Sequence, residues 1–183
     1  MKRLPTRLKG PIVLEPARHP DGRGFFSETY RRDAYRAAGI DADFVQDNHS
    51  RSVRGTLRGL HYQRSPGQAK LVGVARGRIQ DVVVDLRLDS PTFGEWESWI
   101  ISDRVPRQVY VPIGFAHGFV VLSTMADVIY KVGSYYDAAQ EAGVAWDDPE
   151  LAIGWRIANP TLSARDRANP TLAQVRSELA GRR

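Results

Sequence analysis

Short runs rich in β-branched and aromatic residues dominate the chain, and few of them repeat at a helical period. KLVGVA, RIQDVVVDLRL, GEWESWIIS, RQVYVPI, GFVVL and ADVIYKVG read as strands. Turn signals stand between them: Arg76-Gly77, Asp89-Ser90-Pro91, Val105-Pro106 and Pro112-Ile113-Gly114. Several runs alternate. In RIQDVVVDL, Ile79, Asp81, Val83 and Asp85 share one face, and Gln80, Val82, Val84 and Leu86 share the other. Many short strands without a βαβ rhythm predict an all-β protein, an antiparallel sandwich or jelly-roll barrel. The mouth of such a barrel can hold a ligand.

Helical periodicity appears twice. SETYRRDAYRAAG at 27–39 places Tyr30, Ala34, Tyr35 and Ala38 near one face, with Gly39 suited to a C-terminal cap. TLAQVRSELA near the end places Leu172, Val175 and Leu179 on one face. These are short flanking helices on a barrel core spanning about 10–155, with the loop and helix of 156–183 packed against it. No repeat or low-complexity tract divides the 183 residues, so one domain is expected.

Composition narrows the class. With no cysteine, disulfides and thiolate chemistry are excluded, which fits a reducing compartment. MKRLPTRLKGPIVLEP has no apolar run of signal-peptide length, and nothing approaches a membrane span. The expectation is a cytoplasmic protein that neither enters a membrane nor binds nucleic acid, since no basic stripe with interleaved aromatics appears. Much of the +5 net charge sits at the ends, at Lys2, Arg3, Arg7, Lys9, Arg176, Arg182 and Arg183, and reads as solvated tails. The interior arginines remain available to a small anion such as a diphosphate.

The candidate chemistry centres on His61 and His117, two of four histidines. A lone histidine is usually structural, and His19 and His49 are read that way. His61 stands in TLRGLHYQ beside Arg58 and Gln63, costly company for a plain core strand. His117 follows a proline–glycine turn in VPIGFAHGF. A metal site would need further imidazoles or carboxylates close to His61, but Tyr62 and Gln63 follow it, so no metal is expected. Lys70 opens KLVGV and is one of only four lysines. It suits a sheet edge, or a cation aimed at developing negative charge. Gln46 and Asn48 share a strand face in FVQDNHS and fit either ligand-binding amides or a capped loop. DGRGFFSE brings Arg23 between two glycines and puts Phe26 and Glu28 on one face. Tyr130, alternating with Val128 and Val132, reads from the residues alone as core.

In order along the chain stand DGRGFFSE, FVQDNHSRSVRGTLRGLHYQ, QAKLVGVARGRIQDVVVDLRLDSPTFGEWE, VYVPIGFAHGFVVLS, VIYKVGSYYD, AWDDPELAIGW and LSARD. This series resembles the dTDP-4-dehydrorhamnose 3,5-epimerase family of the cupin superfold over residues 10–175. The resemblance implies a cupin-type jelly-roll barrel, a homodimer, no cofactor, and a dTDP-4-keto-6-deoxy sugar as substrate. By matching motif positions, it makes His61 the general base, Asp166 the carboxylate orienting it, Tyr130 the proton donor and Lys70 the cation near an enolate oxygen. It also implies substrate contacts at Arg23, Phe26, Glu28, Gln46, Asp47, Asn48, Arg58, Lys70, His117, Tyr136, Glu141 and Arg165, with Tyr136 stacking on the base.

Two positions depart from the family pattern: Arg165 stands where lysine is common, and Gly73 where arginine is common. Strict alternation would put Arg58 and His61 on opposite faces, and a bulge at Gly59 would reconcile them. The resemblance leaves three alternatives: an epimerase acting at C3 only, a non-catalytic sugar-nucleotide-binding barrel, and a metal-dependent oxygenase on the same fold.

Overall fold

The computed structural model describes residues 1–181, so the expectations for Arg182 and Arg183 lie outside the described residues. Among the described residues, thirteen strands and three helices follow one another. They are β1 (Lys2–Leu4), β2 (Ile12–Glu15), β3 (His19–Asp21), β4 (Gly24–Phe26), α1 (Arg32–Ala37), β5 (Gln46–Val53), β6 (Leu57–Gln63) and β7 (Lys70–Arg76). Then come β8 (Arg78–Asp85), β9 (Trp96–Ser102), β10 (Gln108–Val111), β11 (Phe115–Val121), β12 (Met125–Val132), β13 (Glu141–Gly143), α2 (Ala164–Arg167) and α3 (Leu172–Gly181). One sheet runs β1-β2-β10-β7-β12-β5 and the other β13-β6-β11-β8-β9, with β3 and β4 forming a separate hairpin. Every ladder between these strands is antiparallel. This is the jelly-roll barrel that the strand pattern and the resemblance imply.

Both faces of β8 are buried, for two reasons. Ile79 and Val83 turn inward and meet Val72, Val109, Phe119 and Val128 between the sheets. Val82 and Val84 turn outward and are covered by Leu151 and by Leu172 and Val175 of α3. Leu172 and Val175 are fully buried, each worth roughly 1.5–3 kcal/mol by transfer from water. The outer face of the larger sheet is covered in part by α1, where Tyr35 and Ile40 pack on Ile12, Leu14 and Leu71.

The first helix is shorter than its periodicity suggests. Arg31 is already extended (φ −145°, ψ 121°), and the helix starts at Arg32. Residues before it are held against the sheet instead: Thr29 O accepts from Tyr35 Oη at 2.7 Å and from Gln108 Nε2 at 2.8 Å. Tertiary hydrogen bonds therefore override the local preference. Gly39, at φ +96°, ends the turn as expected.

The SPTFG stretch is a structural staple. Asp85 is fully buried, and its Oδ2 accepts from Ser90 Oγ at 2.6 Å, Thr92 Oγ1 at 2.7 Å and Arg87 Nη2 at 2.7 Å. Burial opposes its charge, but these bonds prevail and hold the carboxyl at about 2. Among the described residues, no helix is long and apolar enough to cross a membrane.

Candidate active site

Alternation along three strands fills one end of the barrel with polar groups. On β12, Val128, Tyr130 and Val132 face inward while Ile129 and Lys131 face out. On β7, Lys70 precedes the inward Val72, whereas Gly73 lies on the outer face, so its departure from the family pattern leaves the cavity wall unchanged. On β6, the register with β11 changes between two pairs: His61 faces His117, but Arg58 faces Phe119. Three steps on β6 thus match two on β11, and the extra residue is a bulge at Gly59–Leu60. Gly59 takes φ +136°, and a Cβ there would lie 2.6 Å from the Gly118 Cα. Only glycine permits that approach, and the bulge turns Arg58 and His61 to the same side.

A cavity of about 280 Å³ results, lined by Arg58, His61, Lys70, His117, Tyr130, Glu141, Arg165 and Asp166, together with Ser50, Phe119 and Ser163. Eight residues expected in the site thus converge from six segments of the chain. Among the described residues, no three His, Cys, Asp or Glu side chains converge as a metal-ligand set.

His61 Nε2 donates to Asp166 Oδ1 at 2.5 Å. That bond sets the tautomer, leaving Nδ1 of a neutral ring as the proton acceptor. Asp166 comes from α2, a four-residue helix whose N-cap Ser163 accepts from the Asp166 N–H at 3.0 Å. Burial opposes the charge of Asp166, yet the hydrogen bond to His61 holds its carboxyl below the usual range. A second imidazole, His117, donates from Nε2 to Asp81 Oδ2 at 2.8 Å inside the barrel wall.

Lys70 Nζ lies 3.5 Å from the His61 carbonyl oxygen. Burial drives its ammonium down to about 8, partly offset by the nearby Glu141 and Asp81 charges. Burial likewise raises the Tyr130 phenol above its ordinary value, against the pull of Arg58. The phenol is therefore held in its protonated form inside the cavity. At the rim, Glu141 accepts from Tyr136 Oη and from Arg165 Nη1, both at 2.6 Å. Burial disfavours the Glu141 carboxylate, but these two partners outweigh it and keep it below its usual range.

Other expected residues sit elsewhere in the single chain. Gln46 and Asn48 lie on the inward side of β5, joined by a 2.9 Å bond from Gln46 Nε2, and Gln46 Oε1 accepts from the Tyr136 N–H at 3.2 Å. Asp47, one residue out of phase, turns to the outer face and pairs with Lys131 at 2.8 Å. Its side chain is outside the cavity because strand alternation puts it there. Arg23 and Phe26 belong to the exposed β3–β4 hairpin, where Arg23 pairs with Asp21 at 2.7 Å and Phe26 is 71% exposed. Glu28 pairs with Arg31 at 3.5 Å. None of these three lines the cavity of its own chain.

Three lining residues escape the sequence reading. Ser50 extends the Gln46, Asn48 alternation by one step, and Ser163 opens an S-x-x-D capping pattern, so both had a signal. Phe119 had none that separates it from the core.

The model of the dTDP-4-dehydrorhamnose 3,5-epimerase family matches residues 5–174. The chain belongs to that family. The Pseudomonas aeruginosa dTDP-4-dehydrorhamnose 3,5-epimerase is 48% identical over 174 residues, covering 93% of this chain and 96% of that protein. A Streptomyces niveus dTDP-4-dehydrorhamnose 3-epimerase is 42% identical over 178 residues, covering 96% and 86%. Among solved structures, the Legionella pneumophila dTDP-6-deoxy-D-glucose-3,5-epimerase, crystallised with dTDP-4-keto-L-rhamnose, superposes with a TM-score of 0.94. It is 45% identical and covers 97% of this chain and 96% of its own. The family's barrel, as that likeness shows it, is the fold described above.

Proposed function

We infer that this chain is an isomerase that converts dTDP-4-dehydro-6-deoxy-D-glucose to dTDP-4-dehydro-L-rhamnose by inverting C3 and C5. One arrangement carries the reading. His61, backed by Asp166, shares a sugar-sized cavity with the Tyr130 phenol and the Lys70 ammonium. The C4 ketone acidifies the neighbouring C–H bonds. His61 takes the proton, the electron pair moves onto the C4 oxygen as an enolate, and Lys70 stabilises that charge. Tyr130 returns a proton to the opposite face of the carbon. His61 ends protonated and Tyr130 deprotonated, and exchange with water resets both. Arg58 and His117 bind the nucleotide sugar from the cavity wall and Glu141 and Arg165 bind it at the rim, with Gln46 and Asn48 beside Tyr136, whose ring covers the base. No cofactor enters this scheme.

The identities favour action at both carbons, since the 3,5-epimerase of Pseudomonas aeruginosa is closer than the 3-epimerase of Streptomyces niveus. Incubation with substrate in heavy water tests the proposal. The wild type should introduce deuterium at C3 and C5, and His61→Ala should lower both by at least about a hundredfold. Exchange at the wild-type rate in the variant would overturn the role of His61, and label at C3 alone would assign the C3-only activity.

The functional unit we propose is a cytoplasmic homodimer, with the whole chain acting as one domain. The exposed hairpin with Phe25 and Phe26, 58% and 71% exposed, supports a segment that reaches the partner's cavity. Arg23, Phe26 and Glu28 then contact the partner's substrate. A monomer by light scattering at working concentration would overturn this assembly.

A further inference from the structure

The inward face of β5 is unusual for a barrel wall. Its residues are Gln46, Asn48, Ser50 and Ser52, with no apolar side chain among them. Three of the four have partners. Gln46 donates to Asn48 at 2.9 Å, and Ser52 Oγ accepts from Arg58 Nε at 3.0 Å. Ser50 Oγ is buried and has no hydrogen-bond partner, although the residue lines the cavity. A buried hydroxyl without a partner costs roughly 1–3 kcal/mol, and a χ1 rotation would turn it into the cavity that the residue lines.

The register locates this hydroxyl. Asn48 lies opposite Tyr130 and Ser50 opposite Val128, so Ser50 is one inward step deeper than the phenol. One step beyond, Ser52 holds the Arg58 guanidinium. Ser50 therefore stands between the proposed proton donor and a cation.

We propose that Ser50 is a further substrate-binding residue whose hydroxyl hydrogen-bonds an oxygen of the bound sugar between Tyr130 and Arg58. Ser52, by contrast, is a positioning residue that orients Arg58. The inference rests on the epimerase reading. It makes a double demand that a structural serine would not meet, because the group that binds substrate is the group that folding leaves unsatisfied. Removing it should weaken binding without weakening the fold.

Steady-state kinetics and thermal melting of Ser50→Ala and Ser50→Thr test this. Ser50→Ala should raise KM three- to tenfold with kcat within about twofold, as expected for a bond made equally in ground and transition states. Its Tm should stay level or rise. Ser50→Thr keeps the hydroxyl and should return KM to within about twofold of the wild type. An unchanged KM in Ser50→Ala, or a fall in Tm showing that the hydroxyl supports the fold, overturns the proposal. So does a raised KM that threonine fails to restore. If the wild type itself introduces no deuterium, the epimerase reading fails instead.

Discussion

Two histidine–carboxylate pairs present an imidazole to the cavity, and they differ in almost everything except chemistry. His61 and Asp166 are 105 residues apart, and the carboxylate arrives on α2 from outside the barrel. His117 and Asp81 lie on neighbouring strands within one sheet, and the Asp81 side chain is wholly buried. The His61 side chain is 24% exposed and that of His117 9%. A proton carrier needs access to both substrate and water, whereas a fixed donor needs only rigidity. The pair assembled across the fold therefore suits proton transfer, and the pair built into the wall suits binding.

Paired substitutions can break this comparison. Asp166→Asn should lower kcat about a hundredfold, because the ring loses the partner that fixes its tautomer and stabilises its cation. Asp81→Asn should cost less than about tenfold and act mainly through KM. Equal losses in kcat would make the two pairs equivalent and sink the distinction.

Lys70 sharpens the picture through pH. Its ammonium, brought down to about 8 by burial, loses its proton as pH rises through that value, so kcat/KM should fall on the alkaline side near pH 8. The stability effect has the opposite sign. Below about 8 the folded protein bears the cost of a buried cation, and that cost is relieved between about 8 and the ordinary lysine value of 10.5. Lys70→Met should accordingly lower kcat by roughly tenfold or more, flatten the alkaline limb, and leave Tm level or raised at pH 7. A limb near pH 8 that survives in Lys70→Met belongs to another group.

The smallest effect is expected at the rim. Arg165 is half exposed and its ion pair with Glu141 is solvent-screened, so Arg165→Lys should change KM by less than about threefold. A larger change would mean that the planar guanidinium is read by the substrate itself.

Most of the barrel was legible in the chain. Alternation in RIQDVVVDL, the turn at Arg76-Gly77 and the glycine after α1 act over a few residues, and local sterics decide them. The motif positions also foretold eight of the residues lining the cavity, but not Ser50, Phe119 or Ser163. Less legible were features set by distant partners. Thr29 is pinned to Gln108, which shortened the first helix. Arg23, Phe26 and Glu28 left the cavity of their own chain because the hairpin stands away from it.

By itself the sequence determined a strand-rich chain with polar groups interrupting apolar runs, because side-chain size, branching and alternation are properties of neighbours. Only the tertiary structure decided that Arg58 and His61 face the same way, since a one-residue bulge at Gly59 depends on how closely Gly118 on the adjacent strand approaches. It alone also decided that Asp166 meets His61 and that Ser50 meets no one. Hydrogen-bond satisfaction is a question of what stands within about 3 Å, and no linear spacing encodes that distance.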